Sequence, residues 1–296
     1  MAASIRISVR FASLLYSLAP DPAAVSKARA RAHSIGSRLT ESFEVVRTQI
    51  VGSHTMGTAV DGLSDLDLFV VLRRDAVRWG ETIVSSDTVL NNVRRALQER
   101  YPSSPVGRDR MAISIAMDGG RSVIDVVPAV FQGPHPKAGL CFDIPDGFGG
   151  WLTTAPDRHL AYFKEANVRS NAKLSRVVQL MKHWRFSRSQ PIPLSSFHLE
   201  ILLAATGLCV APATYSQLLN KAFRVLLSRD GAGIRDPLGV SGVIEAVETD
   251  AQREILLNAL DHAAYNADLA VDAERDGKVT ESVYRWRQVF NSNFPR

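Results

Sequence analysis

Three aspartates lie in or beside apolar segments of the kind that forms buried strands. Asp65 and Asp67 stand in the apolar run 63–72, and Asp125 stands in the run 123–127. Strand side chains alternate between the two faces, so Asp65 and Asp67 are predicted to point to the same side. Like charges in such a place are costly unless a cation neutralises them. Three carboxylates on adjacent strands suit two divalent metal ions about 3.5–4 Å apart, an arrangement that promotes in-line phosphoryl displacement.

A Gly-Ser turn is the second candidate element of the site. Gly52 and Ser53 follow the apolar stretch 43–51 and precede Asp65 by a short connection. Glycine lets the backbone approach a phosphate without a side chain in the way, and the Ser53 hydroxyl and nearby backbone N–H groups can then hold a triphosphate. Alone, a Gly-Ser pair is common in turns, and a single aspartate can end a strand or cap a helix. Their order and spacing together favour a metal site.

The composition is that of an ordinary globular protein. The 296 residues carry a formal net charge of +5 and a pI near 9.4, with 46% hydrophobic and 22% charged residues. A triphosphate pocket accounts for this excess, and the basic residues at 27–31 are interpreted as a solvated helix face rather than a nucleic-acid patch. Cys141 and Cys209 show no zinc-ligand spacing and are expected to be free thiols in a reducing cytoplasm. No apolar stretch is long enough for a membrane span, and the N-terminal segment is interpreted as an amphipathic helix.

Proline and glycine divide the chain into two predicted domains, a catalytic lobe over 1–150 with the N-terminal helix and an α-helical lobe over 151–296. The first is predicted to contain strands and helices at about 22–39 (helix), 44–51, 66–72, 87–99 (helix), 111–117 and 122–130. The second is predicted to contain helices at about 156–168, 172–186, from 195 or 196, 214–228, 240–247 and 250–275. The pattern predicts an α+β fold with a mixed sheet and a site in the cleft between the lobes.

These motifs together resemble a known superfamily. The Gly-Ser turn, the Asp-x-Asp pair and the later aspartate are similar to the signature of polymerase-β-type nucleotidyltransferases. The segment 52–60, GSHTMGTAV, resembles oligoadenylate synthases and relatives of cyclic GMP-AMP synthase. The segments LMKHW (180–184), SSFHLE (195–200) and WRQVF (286–290) resemble the helical lobe of the bacterial branch. From about residue 40 to its end, the chain therefore resembles bacterial cGAS/DncV-like nucleotidyltransferases (CD-NTases).

The resemblance implies nucleotide-binding roles in the helical lobe as well as in the Gly-Ser turn. Lys182 is expected to reach the β- or γ-phosphate as a point charge, with a surface lysine as the alternative. Ser195 or Ser196 is expected to cap a helix whose N-terminus also binds an anion. Phe197 is expected to stack on a nucleobase, with a core position as the alternative.

The resemblance also implies an activity. Asp65, Asp67 and Asp125 are the implied catalytic residues and the implied ligands of two Mg²⁺ or Mn²⁺ ions. The implied reaction joins NTPs without a template, releases pyrophosphate and yields a cyclic di- or trinucleotide second messenger for antiphage (CBASS) defence. A separate effector is expected to read the product without stable binding, the enzyme is expected to be a cytoplasmic monomer, and a DNA or RNA activator is not indicated. The alternatives are a linear oligonucleotide synthase, an RNA-tailing enzyme and a catalytically silent nucleotide-binding regulator.

Overall fold

The protein folds into two compact units with different secondary structure. The computed structural model describes residues 2–296. The units are a sheet unit, made of Pro20–Ala161 and Leu238–Gly242, and a helical unit, made of residues 2–19, Tyr162–Pro237 and Val243–Arg296. None of the helices described combines the length and apolarity needed to cross a bilayer.

The secondary structure follows the predicted order in most places. The helices are α1 (Ala2–Leu18), α2 (Pro22–Ser42), α3 (Ser53–Met56), α4 (Ser86–Arg100), α5 (Pro156–Arg169), α6 (Lys173–Phe186), α7 (Ser196–Thr206), α8 (Tyr215–Ser228), α9 (Asp250–Arg275) and α10 (Val279–Val289). The strands are β1 (Val45–Val51), β2 (Leu66–Leu72), β3 (Arg78–Trp79), β4 (Thr82–Ile83), β5 (Val106–Asp109), β6 (Ala112–Met117), β7 (Ser122–His135), β8 (Gly139–Pro145), β9 (Trp151–Thr154), β10 (Ile234–Arg235) and β11 (Val243–Ile244). A short 3-10 helix covers Arg74–Val77.

A mixed sheet forms the centre of the sheet unit, as predicted. Its strands run in the order β1-β2-β7-β6-β5, and β8 pairs with both β7 and β9. Strands β2 and β7 are parallel, whereas the other pairs in this sheet are antiparallel. The two strands that carry the predicted acids are therefore neighbours at the middle of the sheet.

The sheet has one helix-covered face and one face that carries the acids. On the first, Leu66, Leu68 and Ile124 are buried in a core that includes Ile35 and Leu39 of α2. Each such side chain contributes about 1.5–3 kcal/mol through burial. A one-residue slip of β2 would carry its leucines out of this core, so the burial fixes the register that turns the intervening residues to the other face.

The start of α2 shows how local sequence sets an element. The Asp21 carboxylate accepts hydrogen bonds from the backbone N–H groups of Ala23 and Ala24, and Pro22 occupies the first helical turn. The cap satisfies two donors that would otherwise lack a partner, and such a cap stabilises a helix by about 1 kcal/mol. The helix starts where the Pro-Asp-Pro motif predicted and ends slightly later, at Ser42.

The packing places the N-terminal helix in the helical unit and not with residues 20–150. Phe11 of α1 is fully buried, and its ring lies 5.1 Å from Trp286 and 4.9 Å from Phe294 in edge-on contacts. Aromatic contacts between residues so distant in sequence cannot be deduced from a local pattern. The compact units thus differ from the division at residue 150 in three respects: the location of α1, a boundary near 161, and the segment Leu238–Gly242, which belongs to the sheet unit.

One predicted helix is wrong. The segment 240–247 contains the short strand β11, which pairs antiparallel with β10. Gly239 and Gly242 have φ values of +71° and +68°, which a right-handed helix excludes.

The two cysteines are buried free thiols, as predicted.

Candidate active site

The parallel strand pair brings two of the three predicted acids side by side. Asp67 of β2 and Asp125 of β7 are register partners, and both side chains are half-buried. Residues opposite each other on neighbouring strands project from the same face. Asp65 lies one residue before β2 in an irregular segment and keeps contact with solvent. We call the side of the sheet that bears Asp67 and Asp125 the acid face.

A hydroxyl on the next strand contacts one of these acids. Ser114 of β6 is the register partner of Asp125, and its Oγ donates a 2.6 Å hydrogen bond to Oδ1 of Asp125. Hydrogen bonds to an ionised carboxylate are stronger than those between neutral groups. This bond opposes the effect of burial on Asp125, whose pKa is raised by loss of water and further raised by the charge of Asp109.

Like charges make the acid face unfavourable for ionised carboxylates. The pKa of Asp65 is raised to about 6, mainly because the protein removes water from around the carboxylate, and then because of the charges of Asp125 and Asp109. A carboxyl group with such neighbours gains from a cation. The electrostatics of the face therefore favour a positive ligand.

Asp109 is a fourth acid that the sequence reasoning missed. It ends β5, where Gly107 is the register partner of Ser114, so alternation puts Gly107 and Asp109 on the acid face. The side chain is exposed and stands between Arg108 and Arg110. Its only sequence signal is an acid between two arginines, which gives no hint that a single strand, β6, separates it from the strand of Asp125.

Gly52 is required by both its backbone and its neighbour. It has φ +67° and ψ −149°, a conformation open essentially to glycine alone. A Cβ built at this position would collide with Oδ2 of Asp67 and lie 3.0 Å from its Cγ. The Gly52 backbone therefore lies directly against the carboxylate of Asp67, one of the predicted acids.

The residues after Gly52 form a single closed helical turn. Ser53 begins α3 and is half-buried, and Oγ1 of Thr55 donates to the Gly52 carbonyl oxygen at 2.9 Å. The turn ends at Gly57 in the left-handed conformation, and Thr58 after it is fully buried. This arrangement fixes the position of Ser53 relative to the start of β2.

The helical unit buries Lys182 in an ion pair that the sequence did not predict. Its Nζ lies 2.7 Å from Oε1 of Glu200, and both side chains are about 5% exposed. Lys182 is therefore not the surface lysine of the alternative prediction, because α6 and α7 bury it as an ion pair with Glu200. A sequence cannot show this pairing, since the two residues lie on different helices.

The predicted serine cap is confirmed, and its neighbours have defined contacts. Oγ of Ser195 accepts from the backbone N–H of His198 at 3.2 Å and caps α7. Oγ of Ser196 accepts from the Arg185 guanidinium at 3.0 Å. Phe197 is half-buried in the first turn of α7. The roles of Lys182, these serines and Phe197 in nucleotide binding stay predictions.

The acids are neighbours, but their side chains are not arranged as a complete metal-binding site. Across residues 2–296, no group of three or more His, Cys, Asp or Glu side chains is gathered closely enough to hold a metal ion as it stands. Carboxylate oxygens are nevertheless the ligands that Mg²⁺ prefers. The raised pKa of Asp65 and the register of Asp67 with Asp125 make these three carboxylates a chemically suitable donor set.

Comparison with known proteins identifies the family. The family model described as "Second Messenger Oligonucleotide or Dinucleotide Synthetase domain" (SMODS) matches residues 5–167, a segment that contains the Gly-Ser turn and all four acids. The chain belongs to the SMODS family. This SMODS chain is a nucleotidyltransferase of the CD-NTase group, as the motifs predicted.

Individual relatives are distant. A Bacillus cereus (strain VD146) protein named "Probable cyclic nucleotide synthase" is 24% identical over 270 residues, with 82% of this chain and 81% of the relative covered. The structure of Escherichia coli MS115-1 CdnC with ATP has a TM-score of 0.73 at 20% identity and covers 98% of both chains. Vibrio cholerae DncV with the linear intermediate pppA(3′,5′)pG has a TM-score of 0.65 at 14% identity and covers 84% of this chain and 69% of DncV. The two structures confirm the predicted polymerase-β-like α+β fold.

Proposed function

We propose that this chain joins NTPs into a cyclic di- or trinucleotide, with release of pyrophosphate, by a metal-dependent reaction on the acid face. One observation supports it most: the parallel register of Asp67 with Asp125, with the Gly52 backbone against the Asp67 carboxylate. The SMODS match and the intact acids support synthesis rather than a silent regulator. Antiphage defence is the proposed setting for the product.

Asp65, Asp67 and Asp125 would hold two Mg²⁺ or Mn²⁺ ions. When bound, such ions neutralise phosphate charge and stabilise the attacking and leaving oxygens of an in-line displacement. The chain's part is to fix the donors: β2 and β7 hold Asp67 and Asp125 in register, and Asp65 precedes Asp67 by two residues. Asp125 would also accept the proton of the acceptor hydroxyl.

The nucleotide is proposed to lie along the Gly-Ser turn. Ser53 would donate its hydroxyl and backbone N–H to the triphosphate, and Gly52 would leave room for close approach. In the helical unit, Ser195, Ser196, Lys182 and Phe197 remain the proposed contacts to phosphate and base, on the resemblance of their segments to the family. ATP and GTP are the proposed substrates, since CdnC is seen with ATP and DncV with ATP and GTP.

Product analysis tests this function. Purified protein is incubated with all four labelled NTPs and Mg²⁺ or Mn²⁺, and the products are treated with phosphatase and identified by mass. A phosphatase-resistant product supports a ring, because a ring has no terminal phosphate, whereas a sensitive product indicates linear synthesis.

Two variants give the product experiment its controls. The double variant Asp65→Asn with Asp67→Asn is expected to make no product while it remains folded. Asp61→Asn is the matched control, because it removes an exposed carboxylate from the same connection and is expected to retain activity. Turnover by the double variant near that of the wild type would disprove the assignment.

A protein partner is a separate proposal. E. coli MS115-1 CdnC is seen in a complex with a HORMA protein, HORMA-deltaN, and this structure has a TM-score of 0.72 to the present chain at 21% identity. The sequence predicts a monomer whose effector reads the product without stable binding. Light scattering of the purified chain, alone and with a HORMA protein added, separates the two expectations.

A further inference from the structure

The hydroxyl of Ser114 contacts an oxygen of Asp125 directly. The 2.6 Å bond joins the Ser114 hydroxyl to Oδ1, and the two residues face each other across β6 and β7. Both side chains are half-buried. The bond therefore acts in a partly dehydrated place, where a charge-assisted hydrogen bond is stronger than in water.

The surroundings of Asp125 make this bond consequential. Asp65 and Asp109 are like charges that act on the same face, so repulsion alone would turn the Asp125 carboxylate away from them. A carboxylate has two oxygens, and the Ser114 bond restrains Oδ1. With Oδ1 restrained, Oδ2 has a defined direction.

We propose that Ser114 is a positioning residue, which holds Oδ1 of Asp125 so that Oδ2 is presented to the catalytic metal ion. The inference rests on the proposed function, because it assigns Asp125 to the metal. Groups that orient a metal ligand typically change metal affinity or activity by about 10–100-fold when they are removed. Ser114 is proposed to act through Asp125 and not by contact with the substrate.

The sheet contains a second bond of the same kind, which provides a matched control. Oγ1 of Thr153 donates to Oδ1 of Asp143 at 2.8 Å, and the two are register partners on β9 and β8. Neither residue is one of the acids assigned to the metal. If hydroxyl–carboxylate bonds serve only to stabilise this sheet, losing either bond should have the same effect on activity.

The test compares Ser114→Ala, Ser114→Thr and Thr153→Val with the wild type. Mn²⁺ affinity is measured without turnover by electron paramagnetic resonance, and kcat and KM for NTP are measured at several Mn²⁺ concentrations. Ser114→Ala is expected to weaken Mn²⁺ affinity or lower kcat by about 10–100-fold. Ser114→Thr keeps the hydroxyl on a residue that strands accept and is expected to restore most of the loss. Thr153→Val is expected to match the wild type.

The outcomes separate this inference from the proposed function. Wild-type Mn²⁺ affinity and kcat in Ser114→Ala, with Asp125→Asn inactive, would overturn the role of Ser114 and leave the function standing. Full activity of Asp125→Asn would overturn the function itself. Equal losses in Thr153→Val and Ser114→Ala would show a general stabilising bond and also overturn the positioning role. If Ser114→Ala does not fold, Ser114→Cys, a weaker donor, is measured in the same way.

Discussion

Replacing Gly52 by alanine should damage the site more than the fold. The backbone at Gly52 has φ +67° and ψ −149°, and holding a non-glycine residue there costs about 1–3 kcal/mol. The new methyl would also collide with the Asp67 carboxylate. The carboxylate must therefore move by about 1 Å or more before ordinary van der Waals separations are restored.

Gly57→Ala separates the two effects. Gly57 also has a positive φ, +73°, but a Cβ there meets no atom within 4 Å. Its expected cost is the left-handed conformation alone, roughly 1–2 kcal/mol. The two variants should therefore lose comparable stability, while only Gly52→Ala displaces an acid.

The expected difference in activity is large. A displacement of about 1 Å at a catalytic group can lower the rate by about 100-fold, so Gly52→Ala should lose about that much kcat relative to Gly57→Ala. Thermal denaturation gives the stability of each variant, and NTP turnover at saturating metal gives kcat. If Gly52→Ala turns over as fast as Gly57→Ala, the contact with Asp67 has no catalytic consequence and the reasoning is refuted.

Three further predictions concern buried and clustered charges. Lys182→Met should lower the free energy of unfolding by about 3–5 kcal/mol, because it removes the positive charge beside the buried Glu200 carboxylate. Lys182→Met with Glu200→Leu should be near wild type in urea denaturation, and additive losses would contradict this. Without metal, raising the pH from about 4 to 6 should destabilise the fold, because the raised pKa of Asp65 means that the native state holds the proton more tightly than the unfolded chain does. The loss of stability between pH 4 and 6 that is due to Asp65 should be absent when Asp65→Asn is melted at the same pH values. Asp109→Asn should lower the pKa of Asp65 and Asp125, because it removes a like charge. Mn²⁺ binding should then extend to lower pH. If the pH dependence of Mn²⁺ binding is unchanged, Asp109 does not act on these two carboxylates.

Features that depend on neighbouring residues could be predicted from the sequence, whereas features that depend on contacts between distant residues could not. The strand around Asp67 could be predicted because its apolar neighbours must be buried, and the bounds 66–72 agree with β2. The helix predicted at 240–247 is absent. The apolar residues of this segment favoured a helix, but the positive φ values of Gly239 and Gly242 exclude one there. Asp109 and the Lys182–Glu200 pair were not predictable in the same way. Their significance arises from strand order and helix packing, which local patterns do not encode.

The contact of Phe11 with Trp286 and Phe294 also has a consequence for the timing of folding. Helix α1 is synthesised long before Trp286 and Phe294, the two aromatic residues whose rings lie nearest to Phe11. At about 5–20 residues per second, the ribosome needs roughly 15–55 s to synthesise the chain between Phe11 and Trp286. During that interval the sheet strands that carry the acids are already synthesised, whereas the part of α1 that Trp286 and Phe294 cover has no partner yet. We expect this apolar part of the nascent helical unit to be a site of aggregation or chaperone binding.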